Sequence, residues 1–161
     1  MDKKEFLELY EAGERNFTKA DLREANLSGI RLTDVLLKGA DLICAELQYS
    51  RLTDVDLSGA NLRCADLTST GLYGVDFEGA DLRGAILCHS SLKNLDFSGI
   101  NMEGANLYNI STRGVKFHYT KLRESNLELA RFVDTELKNA DLICANLSQT
   151  YLNYTVLSGA N

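Results

Sequence analysis

The sequence has no proline and only two histidines among its 161 residues. The lack of proline fits a chain whose backbone amides are all needed for hydrogen bonding between stacked segments. The two imidazoles, His89 and His118, have no spacing partner that would complete a triad or a metal cluster, and they read as exposed turn residues. Cys44, Cys64, Cys88 and Cys144 contain no C-x-x-C spacing, which argues against a zinc site or thioredoxin-like chemistry. No apolar run reaches the length of a membrane span, and Met1-Asp2-Lys3-Lys4-Glu5-Phe6 opens no secretory core, so a cytoplasmic protein is expected. A net charge of −6 leaves no basic stripe for direct nucleic-acid binding. The glycines are dispersed and form no phosphate loop, so no cofactor is expected.

What is present is a beat of five. Every fifth residue from Phe17 to Leu157 is Phe or Leu at 27 of 29 positions, Met102 and Thr112 being the exceptions, and no insertion breaks the count. Two residues before each such centre stands a small or branched residue, as at Ala20, Ala25, Ile30 and Val35. Asp or Asn often stands just before the centre, and ten of the twelve glycines fall two places after it. On a helix a period of five spirals around the axis and defines no apolar face. On one straight strand it alternates faces. Both apolar positions point inward only if the chain runs extended for three residues and then turns. The glycine column agrees, because a type II turn needs positive φ at its third residue. Units with Asp, Cys, Tyr or Glu in that place are expected to use type I turns.

A second period of twenty sets the coil. Arg31-Leu32-Thr33-Asp34-Val35 recurs as Arg51-Leu52-Thr53-Asp54-Val55, Phe77, Phe97 and Phe117 share a column, and Cys44 and Cys64 occupy matching places. Four units per turn give a square cross-section. The motif Ala-(Asp/Asn)-Leu-X-X, present as Ala20-Asp21-Leu22-Arg23-Glu24, Ala60-Asn61-Leu62-Arg63-Cys64, Ala80-Asp81-Leu82-Arg83-Gly84 and Ala140-Asp141-Leu142-Ile143-Cys144, resembles the pentapeptide-repeat family. The resemblance implies an all-β, right-handed quadrilateral parallel β-helix. Roughly seven coils, each rising one strand spacing of about 4.8 Å, would make a rod some 35 Å long.

Residues 1–15 read as a capping segment and residues 16–161 as the repeat domain. A helix is expected over 2–12, with Asp2 as its cap, Glu5 three residues on, Phe6, Leu7, Leu9 and Tyr10 as its apolar side and Gly13 at its end. It would plug the first coil, whose backbone edge and apolar column are otherwise open. No such helix follows Leu157-Ser158-Gly159-Ala160-Asn161, so an open edge is expected there, which frays, pairs with another chain or is covered by further residues. Thr112 and the inward hydroxyls of Ser50, Thr70, Ser90, Thr120, Thr135, Thr150 and Thr155 are expected to bond nearby backbone. Cys44 and Cys64 should have Cα atoms about 5 Å apart, within disulfide range, but parallel Cβ vectors and a cytosolic setting favour reduced thiols.

Three outward sets stand out, of which the first and the last are candidates for recognition and the second reads as a solvated face. Asp56, Asp76 and Asp96, with Glu78 beside them, form a ladder of like charge. Local backbone bonding by Asp before the centre is the favoured explanation of such a ladder, and binding of a basic partner the other. On the neighbouring side stand Arg31, Arg51, Lys93, Arg113 and Arg131, and Asp34, Asp54 and Asp134 each follow an Arg by three residues as expected surface ion pairs. Near the C-terminus Leu129, Val133, Tyr151, Tyr154 and Val156 should gather on one side and its following corner as a docking surface. With no converging acid, base or nucleophile, the sequence reads as a non-enzymatic interaction or scaffold module with an unidentified protein partner, and a homodimer through the C-terminal edge is compatible with it. The opening Leu9-Tyr10-Glu11-Ala12-Gly13-Glu14-Arg15-Asn16-Phe17 resembles small stand-alone cyanobacterial members of the family. The alternative comes from the quinolone-resistance branch, whose members mimic DNA and occupy DNA gyrase. The aspartate ladder would then supply phosphate-like charge.

Overall fold

A computed structural model describes residues 1–161. The chain runs through α1 (Lys3–Glu11) and then seven three-residue strands: β1 (Arg31–Thr33), β2 (Arg51–Thr53), β3 (Gly71–Tyr73), β4 (Ser91–Lys93), β5 (Ser111–Arg113), β6 (Arg131–Val133) and β7 (Tyr151–Asn153). The strands form one parallel sheet in sequence order, each in register with the strand twenty residues on, so Leu32 pairs with Leu52 and Leu52 with Leu72. The other three sides are ladders of single parallel bridges that begin at Asn16↔Leu36, Asp21↔Asp41 and Asn26↔Glu46. The fold is a right-handed quadrilateral parallel β-helix of about six turns, with part turns at both ends and one short N-terminal helix. We call the four sides the strand side, the acidic side (the Leu37 column), the third side (the Leu42 column) and the fourth side (the Leu47 column).

One expectation about the corners is overturned. All 29 residues two places after a centre take positive φ, among them Cys44 at 53°, Tyr49 at 59°, Asp54 at 52° and Glu124 at 56°. None of the Asp, Cys, Tyr or Glu corners is a type I turn, because that turn would place negative φ there. Stacking supplies the reason. A corner of different geometry would break the register with the coils above and below, and the cost of a left-handed L-residue, about 1–2 kcal/mol, is smaller than what that register holds together. Glycine is most needed at Gly159 and Gly74, where an added Cβ would lie 2.1 Å from Asn139 Oδ1 and 2.2 Å from Asp54 Oδ1 in the preceding coil.

The inward residues make one core cluster of 44 side chains. Phe77, Phe97 and Phe117 stack along the axis with centroids 5.0 and 5.2 Å apart, and Phe132 meets Phe117 edge-on at 6.1 Å. The missing leucine at Thr112 now has a reason. Thr112 pairs in the sheet with Phe132, so a small residue offsets the large ring beside it. Its hydroxyl is 2.7 Å from that of Thr135. Thr112→Leu is therefore expected to overpack this layer and lower stability by about 1–3 kcal/mol, while Thr112→Leu combined with Phe132→Leu recovers most of the loss. Urea melts of the two variants check this.

The other buried hydroxyls bond backbone as expected, Thr135 to Val133 O and Ser125 to Leu122 O within their own coil, and others to the preceding coil: Ser50 to Leu27 O at 3.0 Å, Thr70 to Leu47 O at 2.8 Å and Thr120 to Phe97 O at 2.7 Å. The latter clamp coil to coil.

The helix closes the N-terminal end. Asp2 Oδ1 accepts from Glu5 N at 2.9 Å. At the other end, Gly13 N donates to Tyr10 O and Glu14 N to Leu9 O, the paired bonds of a Schellman stop. Phe6 is fully buried against Phe17, ring centroids 4.3 Å apart, with Leu7 and Tyr10 partly buried, whereas Leu9 faces solvent, contrary to expectation. Edge groups of the first coil find partners here: Asp21 O accepts from the N-terminal ammonium, Ser28 O from Lys3 Nζ, and Thr33 N donates to the Tyr10 hydroxyl. At the C-terminal end the centres Leu147, Leu152 and Leu157 are exposed.

Candidate interaction surfaces

The acidic side carries the aspartate ladder where the register puts it, with Asp56 and Asp76 on adjacent rungs. Each carboxylate also accepts from the amide two residues on: Ser58 N at 2.8 Å, Glu78 N at 2.9 Å and Ser98 N at 2.9 Å. Asp76, Glu78, Asp96 and Ser98 line a shallow depression without apolar residues. The ladder then stops. The next rung is Lys116, with Nζ 3.8 Å from Asp96 Oδ2, and beyond it Lys138 pairs with Glu136. Partial burial raises the Asp96 pKa, but the Ser98 hydrogen bonds and Lys116 outweigh it and hold the group below its ordinary value.

The expected histidine and arginine arrangements are corrected. His118 is half-buried, with Nε2 3.4 Å from Glu136 Oε2. His89 is exposed as expected, with Nδ1 3.0 Å from Asn109 Nδ2. Arg31, Arg51 and Arg131 form no ion pair with Asp34, Asp54 or Asp134, because the corner between them turns the carboxylates away. Arg51 instead lies over the Tyr73 ring at 4.6 Å. The arginine ion pairs form on the third side across two residues or between coils: Arg23 with Asp21, Arg83 with Asp81, and Arg123 with Asp141. The Arg23 guanidinium, then the Arg23 amide, hold the Asp21 pKa at about 2, and the Arg partners lower Asp81 and Asp141 likewise.

A pH dependence follows. Carboxyls whose pKa is lower folded than unfolded stabilise the fold above the ordinary carboxylate range, and that contribution is lost as pH falls through the folded values. The urea midpoint should be level from about pH 7 to 5 and fall below about pH 4, less steeply in high salt because these pairs are exposed. A midpoint unchanged at pH 2 would contradict it.

The C-terminal set is divided by the structure. Leu129, Val133 and Tyr151 meet in an open groove of about 640 Å³ at the corner from the fourth side to the strand side, with Asn109, Ser111, Arg131 and Gln149 completing the wall. Tyr154 stands fully out at the following corner, 77% exposed, and Val156 lies on the acidic side, paired with Glu136. Neither lines the groove. The polar wall was missed in the sequence although column counting finds it, since Asn109 and Gln149 lie twenty residues on either side of Leu129. Arg131 has no carboxylate partner, and no three His, Cys, Asp or Glu side chains converge to hold a metal ion.

A four-sided β-solenoid built from five-residue units, with its chemistry confined to outward ladders, defines the class. The family described as pentapeptide repeats matches with eight copies, over residues 16–48, 40–79, 50–87, 72–109, 113–143 and 130–161, and the chain belongs to that family. Among solved structures it is similar to HetL, a pentapeptide repeat protein involved in heterocyst differentiation regulation from Nostoc sp. strain PCC 7120, at 26% identity over 100% of this chain and 94% of that one, TM-score 0.44. Another pentapeptide repeat protein from Nostoc is 30% identical over 78% of this chain and 82% of its own, TM-score 0.37. QnrB1, a plasmid-mediated fluoroquinolone resistance protein, is 21% identical over 91% of this chain and 76% of that one, TM-score 0.46. No curated protein sequence matches the chain. No helix is long and apolar enough to cross a membrane.

Proposed function

We propose that the protein is a non-enzymatic interaction rod of the cytoplasm that docks a protein partner on the groove of Leu129, Val133 and Tyr151, with Tyr154 and Val156 extending the contact around the next corner. The observation that supports this reading is the groove itself: Leu129, Val133 and Tyr151 gather around Arg131, which has no carboxylate partner. An apolar centre with an Arg and a Tyr is the composition from which interface hot spots are drawn. The test is affinity capture from source-cell lysate with the full chain and with a Val133→Ser, Tyr151→Ala, Tyr154→Ala variant. A partner held by the first and lost by the second supports the proposal, and a partner held equally by both contradicts it.

Self-association through the exposed Leu147, Leu152 and Leu157 end is compatible with this reading. Sedimentation at high concentration reports it, because Tyr151→Asp should then shift a dimer toward monomer. The second reading, mimicry of DNA toward gyrase, draws on the ladder of Asp56, Asp76, Asp96 and Glu78. Three rungs at about 4.8 Å reach only about 10 Å before Lys116 reverses the charge, so this reading has the smaller support. Supercoiling inhibition that vanishes when the three aspartates become asparagine would promote it above the first.

A further inference from the structure

Cys44 and Cys64 stand in the same column on adjacent coils of the third side, both exposed and both free. Their backbones are superimposable, with φ of 53° and 55°, and their amides donate to Arg63 O and Arg83 O in the same way at 2.9 and 3.0 Å. Beyond Cys64 the column opens: the next residue is Gly84, and even an added Cβ there would stay 3.4 Å from Cys64 Sγ.

We propose that this pair is a two-coordinate site for a soft monovalent cation of the Cu(I) type. In-register strands are about 4.7–4.9 Å apart, whereas a disulfide requires Cβ atoms about 3.5–4.5 Å apart, so two parallel thiols are held slightly too far apart for direct closure. A bridging metal removes the mismatch. Two metal–sulfur bonds of about 2.3 Å laid end to end span about 4.6 Å, close to one coil step. Thiolate donors select Cu(I) among biological cations. Zinc is excluded by count, because its structural sites need four ligands and no third Cys, His, Asp or Glu converges on the pair. Cys144 shares the column but lies four coils from Cys64, about 19 Å away, and Cys88 is on the fourth side.

The charges around the pair are Glu24 one coil below Cys44 and Arg63 beside it. Two sulfur–metal bonds form, the two S–H protons pass to solvent, and nothing is oxidised or reduced.

The experiment is anaerobic titration of the reduced full chain with Cu(I) against a chromogenic Cu(I) chelator, followed by X-ray absorption on the loaded protein. The wild type is expected to withdraw one Cu(I) per chain, with two sulfur neighbours and no third. Outer-shell partners alone are worth about 10–100-fold in metal affinity, so Cys44→Ser and Cys64→Ser, each losing a ligand, should lose more than that. The Cys88→Ser, Cys144→Ser double variant should match the wild type. Uptake retained by Cys44→Ser, or a third sulfur neighbour in the wild type, would overturn the proposal.

Discussion

Phe97→Ala is expected to lower stability by about 3–5 kcal/mol and to turn one cooperative urea transition into two. Phe97 is fully buried between Phe77 and Phe117, with centroids 5.0 and 5.2 Å away, and the backbone carbonyl of Phe97 accepts the Thr120 hydroxyl of the next coil. Each coil contacts only the coils above and below, so stability adds up interface by interface along the rod. A cavity at Phe97 weakens the middle of that series. The N-terminal half keeps its helical cap, while the C-terminal half keeps an end whose leucines are exposed, so the C-terminal half should melt first. Phe97→Leu roughly preserves the packing and should cost less than about 1.5 kcal/mol. Urea melts followed by circular dichroism, with hydrogen exchange to assign the halves, read out both variants. A single transition with a loss below about 1 kcal/mol would contradict the stacking account.

The second large effect is at the cap. Phe6→Ala should cost about 3–5 kcal/mol, most of it felt in residues 17–33. The nine-residue α1 is too short to persist alone in water and is held by Phe6 against Phe17 and by its bonds to Asp21 O, Ser28 O and Thr33 N. Once Phe6 is removed, the helix leaves. Phe17, Leu22 and Leu27 are then uncovered together with a parallel edge open to other chains. Hydrogen exchange should show lost protection over 17–33 with little change over 111–137, and sedimentation should show new association. Exchange that rises evenly along the rod would mean that α1 is an appendage.

How much of this was legible in the sequence depends on whether counting suffices. The two periods assign every residue to a side, a corner or the core, so the four-sided helix, the aspartate ladder and the meeting of Leu129, Val133 and Tyr151 could all be read before any coordinates. Three things could not be counted. The conformation at non-glycine corners such as Cys44 and Tyr49 is imposed by the coils above and below and not by local preference. Ion pairing depends on where a corner aims a side chain, and so Arg51 found Tyr73 and not Asp54. The reach of the proposed docking surface depends on which way each column faces: Tyr154 keeps to the following corner, as counted, whereas Val156 lies past that corner on the acidic side. Thr112 shows the same limit inside the core, since its size makes sense only beside Phe132 in the next coil.

The most direct test of the claim that one corner of the rod does the binding is photocrosslinking. A benzophenone amino acid is placed singly at position 151 in the groove, at 76 on the acidic side, at 23 on the third side and at 48 on the fourth side, and each full-length protein is irradiated in source-cell lysate. The docking account predicts a discrete adduct from position 151 that a Val133→Ser change abolishes, and none from the other three. Adducts that form from position 76 and not from 151, or equally from all four sides, would contradict it.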